Sequence, residues 1–368
     1  MNILFLCTDA YGGQGGIAKF NRDLGNALTE SPLSAHVTTL PRVKPVETIG
    51  NTPESLNFLP HAAGSKTKYT WEVLRTGWMR GKKFSPAYRD FDLILCGHIN
   101  LLPVAAIASR LTNTPLWLII HGIDAWSPPQ SVFARYALHA VNRFVSVSEH
   151  TLNRFLTWAP LTAGQGHVIP NCIDLKRYGP GPKPEDLLDR YGLRGCTILL
   201  TLGRLSSEEQ YKGHDEVMEA MPDLISNIPD LAYLICGDGD DRKRLKDKAE
   251  KLGIKNRVVF AGYVPEREKA DHYRLADAFV MPGRGEGFGI VYLEAVACGV
   301  PVVASSADAS KEAVRNGKLG TVVDPDDIAE VQDGILQALK SSRSVPPGLS
   351  YFSFSNFRER WQNILHNV

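Results

Sequence analysis

Residues 282–295 read PGRGEGFGIVYLEA. The run before them, DAFVMP (277–282), is short and apolar in the manner of a buried strand, and IVYLEAVACG after the glycines has the length and content of a helix. A strand, a loop and a helix in that order make the unit from which parallel sheets are built. An ordinary strand-to-helix turn manages with one glycine, yet this loop carries several, and a carboxylate stands at each end of GFGIVYL: Glu286 and Glu294. Glycines expose backbone N–H groups, and at a helix N-terminus free amides and the helix dipole both favour phosphate. If the stretch is regular helix, the two carboxylates lie about 12 Å apart along its axis. Ionised carboxylates only accept hydrogen bonds, so sugar and ribose hydroxyls are their natural partners. The stretch therefore reads as a nucleotide-sugar site, with amides for the phosphates and one acid for each ring. The plainer alternative is a glycine-rich turn with two exposed glutamates.

The same alternation of apolar runs and helical patterns extends in both directions. Upstream lie NILFLC (2–7), HVTTL, FDLILC, LWLII and RFVSVS; around the opening stretch lie CTILLTL (196–202), LAYLIC (231–236), RVVFAG (257–262), VPVVAS (300–305) and GTVV (320–323). Between the two groups, VIPNCIDLKRYGPGPKPEDL (168–187) is rich in Pro and Gly. The expectation is α/β with two Rossmann-like parallel-sheet domains facing across a cleft, one over 1–180 and one over 181–368. The last segment, FSFSNFRERWQNILHNV, reads as an amphipathic helix capped by Ser353 or Ser355 and returning to the first domain. Ligands of such sheets bind outside the carboxyl ends of the strands, which makes the loops after strands the informative ones.

Four of those loops carry candidate chemistry. In LLTLGRLSSEEQYKGH (199–214), Arg204 and Lys212 are two cations placed to neutralise a leaving diphosphate, against the reading of a solvated basic pair. In YGGQGGIAKF (11–20), Gly13-x-Gly15-x-x-Ala18 mimics a dinucleotide fingerprint. Its glycines come late after the first strand, and Arg42 stands where an acid would hold a ribose, so an amide-rich flexible loop is the better reading. His121 and Asp124, in HGID after LWLII, could orient a substrate hydroxyl or move a proton. Asp238-x-Asp240, in GDGDDR, resembles the metal pair of another sugar-transferase class, but acids capping the basic helix that follows explain it more simply.

Composition narrows the class. At 368 residues, 43% hydrophobic and 22% charged, the chain is a globular one of two domains. Residues 1–180 hold 17 Lys and Arg against 11 Asp and Glu, a net +6, and the remainder is net −5. Residues 64–89 concentrate the excess, with seven Lys and Arg, one Glu, and Tyr69, Trp71, Trp78 and Phe84 among them; this suits an anionic membrane surface. No nucleic-acid module is present. Six scattered cysteines form no CxxC, so neither a disulfide frame nor a zinc site is expected, and a reducing, cytoplasmic setting is.

Taken together these residues resemble the retaining glycosyltransferases of the GT-B fold, family four, whose hallmark is an acid, seven residues and a second acid after a glycine-rich turn. Here that is Glu286-GFGIVYL-Glu294 followed by EAVACGVPVVAS, with GRL and KGH, YLICGDGD, VVFAGYV, DAFVMP and VVDPDD in the second half. GGIA (15–18), HGID (121–124), VSVSEHT (145–151) and IPNCID (169–174) match more thinly in the first. The resemblance implies that Arg204 and Lys212 stabilise the donor diphosphate and that Glu294 binds ribose hydroxyls. It implies that Glu286 and the amides of Phe288, Gly289 and Ile290 hold the transferred sugar. Tyr263 and Val264 match the place that contacts the base, Gly15 and Gly16 would close over the diphosphate, and His121 matches a histidine near donor sugar and acceptor, with Asp124 a weaker acceptor candidate. Two positions depart from the pattern. Asn171-Cys172 replaces Asn-Gly, and Gly283 replaces a serine, which predicts a looser loop.

The function so implied is metal-independent transfer of a hexose from a nucleoside-diphosphate sugar (GDP-mannose or a UDP-hexose) to a saccharide or lipid-linked saccharide, with retention and without a cofactor. Retention by double displacement needs a carboxylate nucleophile about 3 Å from the anomeric carbon. Glu286 is the one candidate, and the resemblance assigns it to sugar hydroxyls, so front-face attack is favoured. The competing classes are a nucleotide-sugar epimerase of the same shape, a nicotinamide oxidoreductase using the Gly13 loop, and a non-catalytic sugar-binding protein.

Overall fold

The computed structural model describes residues 1–45, 52–78 and 91–366. Its contacts divide the chain into two units, Met1–Cys172 with Phe354–Val368, and Ile173–Ser353.

The first unit is a seven-stranded sheet: β1 (Asn2–Cys7), β2 (His36–Pro41), β3 (Leu56–Phe58), β4 (Leu93–Cys96), β5 (Leu116–Ile120), β6 (Arg143–Ser146) and β7 (Gly166–Val168), in the order β3-β2-β1-β4-β5-β6-β7. Every pairing is parallel. The second unit is a six-stranded parallel sheet: β8 (Thr197–Leu202), β9 (Leu231–Cys236), β10 (Val258–Gly262), β11 (Ala278–Val280), β12 (Val302–Ser305) and β13 (Thr321–Val323), in the order β10-β9-β8-β11-β12-β13. Helices cover both sheets, which is why strands such as LWLII and LAYLIC are buried at every position. The expected strands are all present. The edge strands β3 and β7 are additional; at three residues each, with partly exposed side chains, they carry no apolar run to read.

The change of unit at Cys172–Ile173 falls a little ahead of the expected boundary at 180. The last segment belongs with the first unit and not with residues 181–353. Its helix, Phe354–Leu365, starts directly after Ser353 and buries Phe357 and Trp361 completely. Phe357 meets Phe20 of the Gly15–Thr29 helix edge to face at 5.7 Å, and Arg358 pairs with Glu30 at 2.6 Å. Within the second unit, Ile173 N–H donates to Phe352 O at 2.9 Å, so the segments by which the chain enters and leaves that unit are bonded to each other.

In each sheet the strand order reverses at its first strand, beside β1 and beside β8. All the loops that carry candidate residues emerge from carboxyl ends, and Arg204 and Glu286 follow the adjacent strands β8 and β11 at the reversal of the second sheet. Among the described residues no helix is long and apolar enough to cross a membrane.

Candidate active site

In the second unit the loop after β8 turns into a short 3-10 segment, Ser207–Lys212, and two backbone devices hold it. Asp240 caps its start, accepting from Ser207 N–H at 2.8 Å and from Ser207 Oγ at 2.6 Å. The Asp238-x-Asp240 pair is thus not the cap of the basic helix behind it: Asp240 serves the neighbouring loop, and Asp238 accepts from Gly239 N–H at 2.9 Å. Gly237 brings the backbones together, since a Cβ there would sit 1.7 Å from Gly203 O. The far end of the segment is pressed against the glycine-rich loop, where Arg284 N–H donates to Tyr211 O at 2.8 Å. A Cβ on Gly283 would lie 2.7 Å from the same oxygen. Gly283 therefore does not loosen the loop as expected; the absent side chain lets two backbones touch, and the loop is tighter for it.

That contact delivers Lys212 to Glu286, Nζ to Oε1 at 3.1 Å, with Glu209 at 3.4 Å on its other side. Their side chains are 14%, 17% and 14% exposed, so this is a largely desolvated group. Burial opposes the charge on Lys212, but the carboxylates of Glu286 and Glu209 outweigh it and hold the ammonium above its ordinary value. Arg204 is placed differently. Its side chain is 79% exposed and pairs with Glu209. The two expected cations are therefore brought together through a carboxylate that the sequence reading passed over.

Glu286 and Glu294 do not share a helix. The helix is Ile290–Ala297 with Gly289 as its left-handed N-cap, so Glu286 belongs to the loop and the helical spacing of about 12 Å does not apply. Glu294 is 1% exposed and accepts from Tyr273 Oη at 2.8 Å. Phe288 is buried edge to face on Phe352 at 5.7 Å. Among the described residues nothing accepts from the backbone N–H of Phe288 or Gly289. Those amides lie at the helix start, and Glu286 Oε2 is 3.9 Å from where a Gly289 Cβ would be. Ile290 opens the helix; Tyr263, 58% exposed, and buried Val264 follow β10 at the edge of the sheet.

Asp308, after β12, was not read from the sequence. It is fully buried and accepts from Glu286 N–H at 2.8 Å, while Ala309 N–H donates to Glu286 O at 3.1 Å. Burial pushes its carboxyl up to about 6, against the lowering effect of the Ser310 hydroxyl. A lone aspartate in SSADASKEA has no spacing signal; the pairing depends on β11 and β12 being neighbours.

In the first unit, Gly15 and Gly16 are not in a flexible loop. They open the Gly15–Thr29 helix, after Gln14 as an extended N-cap. His121 and Asp124 do not pair. His121 Nε2 donates to Gly97 O at 3.0 Å and its ring meets Phe20 edge to face at 5.0 Å. Burial first, then His98, lowers it to about 3, so it is a neutral imidazole. Asp124 turns instead to the backbone N–H groups of His121 and Gly122 and to His98, whose Nε2 is 3.9 Å from Oδ2. Burial raises its carboxyl to about 7. His98 was also missed, since a single His after CG in CGHIN carries no pattern. Of the basic segment, Tyr69 is core, its Oη donating to Leu40 O at 3.2 Å; Trp71 is 59% exposed; residues 79–89, including Phe84, lie outside the described residues.

Two consecutive parallel sheets with a buried cation–carboxylate group after β8 and β11 fit the class of the GT-B glycosyltransferases, and the comparisons show that class. Residues 194–350 match the family described as glycosyl transferases group 1, and residues 14–177 match glycosyltransferase family 4. A Mycobacterium tuberculosis protein named GDP-mannose-dependent alpha-(1-6)-phosphatidylinositol monomannoside mannosyltransferase is 32% identical over 292 residues, 76% of this chain and 74% of that one. Its Mycolicibacterium smegmatis counterpart is 38% identical over 205 residues, a match spanning 53% of that protein. Among solved structures, Anabaena Alr3699/HepE in complex with UDP and glucose aligns over 100% of this chain and 99% of its own, with a TM-score of 0.74 and 22% identity. The lipopolysaccharide outer core galactosyltransferase WaaB aligns over 100% of both chains, with a TM-score of 0.72 and 16% identity. The chain belongs to glycosyltransferase family 4 and has the GT-B fold.

Proposed function

We propose that the protein is a retaining, metal-independent hexosyltransferase that moves mannose from GDP-mannose to a saccharide or lipid-linked saccharide acceptor at the cytoplasmic membrane face. One observation carries the donor site: unpartnered amides at Phe288 and Gly289 open a helix next to the Lys212–Glu286 pair. Amides and dipole take the diphosphate, Lys212 and Arg204 add positive charge, and Glu286 accepts from hexose hydroxyls. The acceptor oxygen bonds to the anomeric carbon on the face from which the diphosphate leaves. The C–O electron pair departs with the phosphate oxygen, which takes the acceptor's proton. Charge on the leaving group is what the cations and amides stabilise, the largest part of such catalysis. His121, neutral and held by Gly97 O, orients hydroxyls and supplies no charge. A metal has no part in this scheme, and Asp240, one of the acids spaced for one, is engaged by Ser207.

The choice of GDP-mannose, and of a lipid-borne acceptor, follows the names of the mycobacterial relatives. Peripheral membrane contact is supported by exposed Trp71, Ile107, Leu111, Val132, Phe133 and Tyr136, with Arg110 over the Tyr136 ring at 5.7 Å. The test is incubation with GDP-mannose, UDP-glucose and UDP-galactose, each with phosphatidylinositol vesicles and EDTA, with the product linkage read by NMR. An α-mannoside formed under EDTA is expected. A β-linked product, or a strict need for a divalent cation, overturns the mechanism. Conversion of the donor alone points to an epimerase.

A further inference from the structure

Glu286 is the residue on which the donor reading turns, and its side chain alone cannot set where its carboxylate stands. It sits in a loop without helical or strand bonds, four residues ahead of the Ile290–Ala297 helix. Both backbone groups of Glu286 are nevertheless fixed, and both by the turn after β12: its N–H by Asp308 Oδ2 at 2.8 Å, its carbonyl by Ala309 N–H at 3.1 Å. Asp308 is in turn held by Ser310, whose N–H and Oγ donate to Oδ1 at 2.9 and 2.6 Å, and Ser310 Oγ accepts from Ser305 N–H at 3.0 Å at the end of β12. The chain of bonds runs without a break from a core strand to the Glu286 backbone. A buried carboxylate is an expensive way to satisfy one loop amide. It lies moreover near a second carboxylate, that of Glu286, which disfavours the charge on Asp308.

We propose that Asp308 is a positioning residue for the transferred hexose: by clamping the Glu286 backbone it fixes the direction in which the Glu286 carboxylate meets the sugar hydroxyls. This rests on the reading of Glu286 as the hexose contact. Interactions that must be made within a few tenths of an ångström depend on such supporting bonds. Asp308 touches neither the amides of Phe288 and Gly289 nor Arg204, and it reaches Lys212 only through the Glu286 side chain, so the sugar part of donor affinity depends on it far more than the diphosphate part. The groups facing Asp308 are Glu286 from the glycine-rich loop, Tyr292 from the Ile290–Ala297 helix and Ser310 beyond it, with Lys212 on the far side of Glu286. None is a cation in contact with Asp308, and protonation at mildly acidic pH converts a charge-assisted acceptor into a weaker neutral one.

The experiment is calorimetric titration of the full chain with GDP, GDP-mannose, UDP and UDP-glucose at pH 7.5 and pH 5.5, reading how much tighter each nucleotide sugar binds than its own nucleotide. In Asp308→Asn, an isosteric change that turns an amide NH2 toward either Glu286 N–H or Ser310, the preference for the nucleotide sugar is expected to fall about tenfold, while nucleotide affinity stays within about twofold. The unsubstituted protein should lose part of the preference at pH 5.5, and Asp308→Asn should show no such pH dependence. The pH series needs no variant, so a variant that fails to fold does not remove the test. A role in stability alone would lower the melting temperature and leave the preference intact, which overturns the proposal. If Glu286→Gln loses the preference and Asp308→Asn keeps it, the positioning role fails and the reading of Glu286 stands. If the unsubstituted protein shows no preference, or Glu286→Gln keeps it, both fail.

Discussion

The strand-end loops of the two units solve the burial of charge in opposite ways. After β8 and β11, charge is kept: Lys212 is buried between Glu209 and Glu286, and its ammonium is held above its ordinary value although burial opposes it. After β4 and β5, charge is given up: burial takes His121 down to about 3 and raises Asp124 to about 7. A site that maintains paired charge out of water can exchange one anion for another, as binding a diphosphate requires. A site of neutral imidazole and a carboxyl group that keeps its proton until about neutral pH is suited to uncharged hydroxyls, as an acceptor presents. The difference agrees with the proposed function, in which the second unit does the diphosphate work and the first the hydroxyl work.

Removing the cation breaks that comparison hardest. Lys212→Met keeps the length of the side chain and leaves Glu209 and Glu286 facing each other at 14% and 17% exposure. Transfer should fall by roughly 10²–10³-fold, the range for loss of one stabiliser of developing charge. The melting temperature should fall as well, since an unpaired buried carboxylate costs more than the pair gained. Steady-state transfer from GDP-mannose and a thermal scan read both. Activity within tenfold of the unsubstituted protein would move the diphosphate site elsewhere.

The first unit makes the complementary prediction, smaller and visible in stability. The Asp124 carboxyl releases its proton near 4 in the unfolded chain and near 7 in the folded one. Between those values the folded state holds the extra proton, so the contribution of this group falls as pH rises through the window and is flat above it. Asp124→Asn should flatten the slope of melting temperature between pH 5 and pH 8, with little change at the acid end. An unchanged slope would mean that Asp124 is ionised throughout, and the contrast between the units would lose its second term.

Much of this was legible in the residues, and the limits have physical reasons. Strands such as NILFLC and LAYLIC are buried on both faces, so composition alone marks them, and Glu286, Lys212 and Arg204 sit in loops whose glycines announce a turn. Residues whose role depends on a neighbour distant in sequence were not legible. Asp308 and His98 become partners of Glu286 and Asp124 only because β11 lies beside β12 and β4 beside β5. Gly283 misled for a related reason: a glycine looks like freedom in a sequence, but here it marks where the Tyr211 carbonyl passes too close for a Cβ.

Glu209 offers the finest test of the comparison, because its sign is informative. Its carboxylate joins Arg204 to Lys212, so the four charged groups Arg204, Lys212, Glu209 and Glu286 sum to zero. A nucleoside diphosphate approaching the amides of Phe288 and Gly289 must share those cations with a carboxylate already on them. Glu209→Gln removes one competitor while keeping a side chain that can still accept a hydrogen bond. If competition dominates, affinity for GDP or UDP should rise by about fivefold, the worth of roughly 1 kcal/mol for one partly screened ion pair. That gain should shrink as salt is raised. A fall in affinity would mean that Glu209 does more by holding Arg204 and Lys212 in place than it costs as a rival anion. The second unit would then owe its charge-binding character to fixed geometry more than to available positive charge.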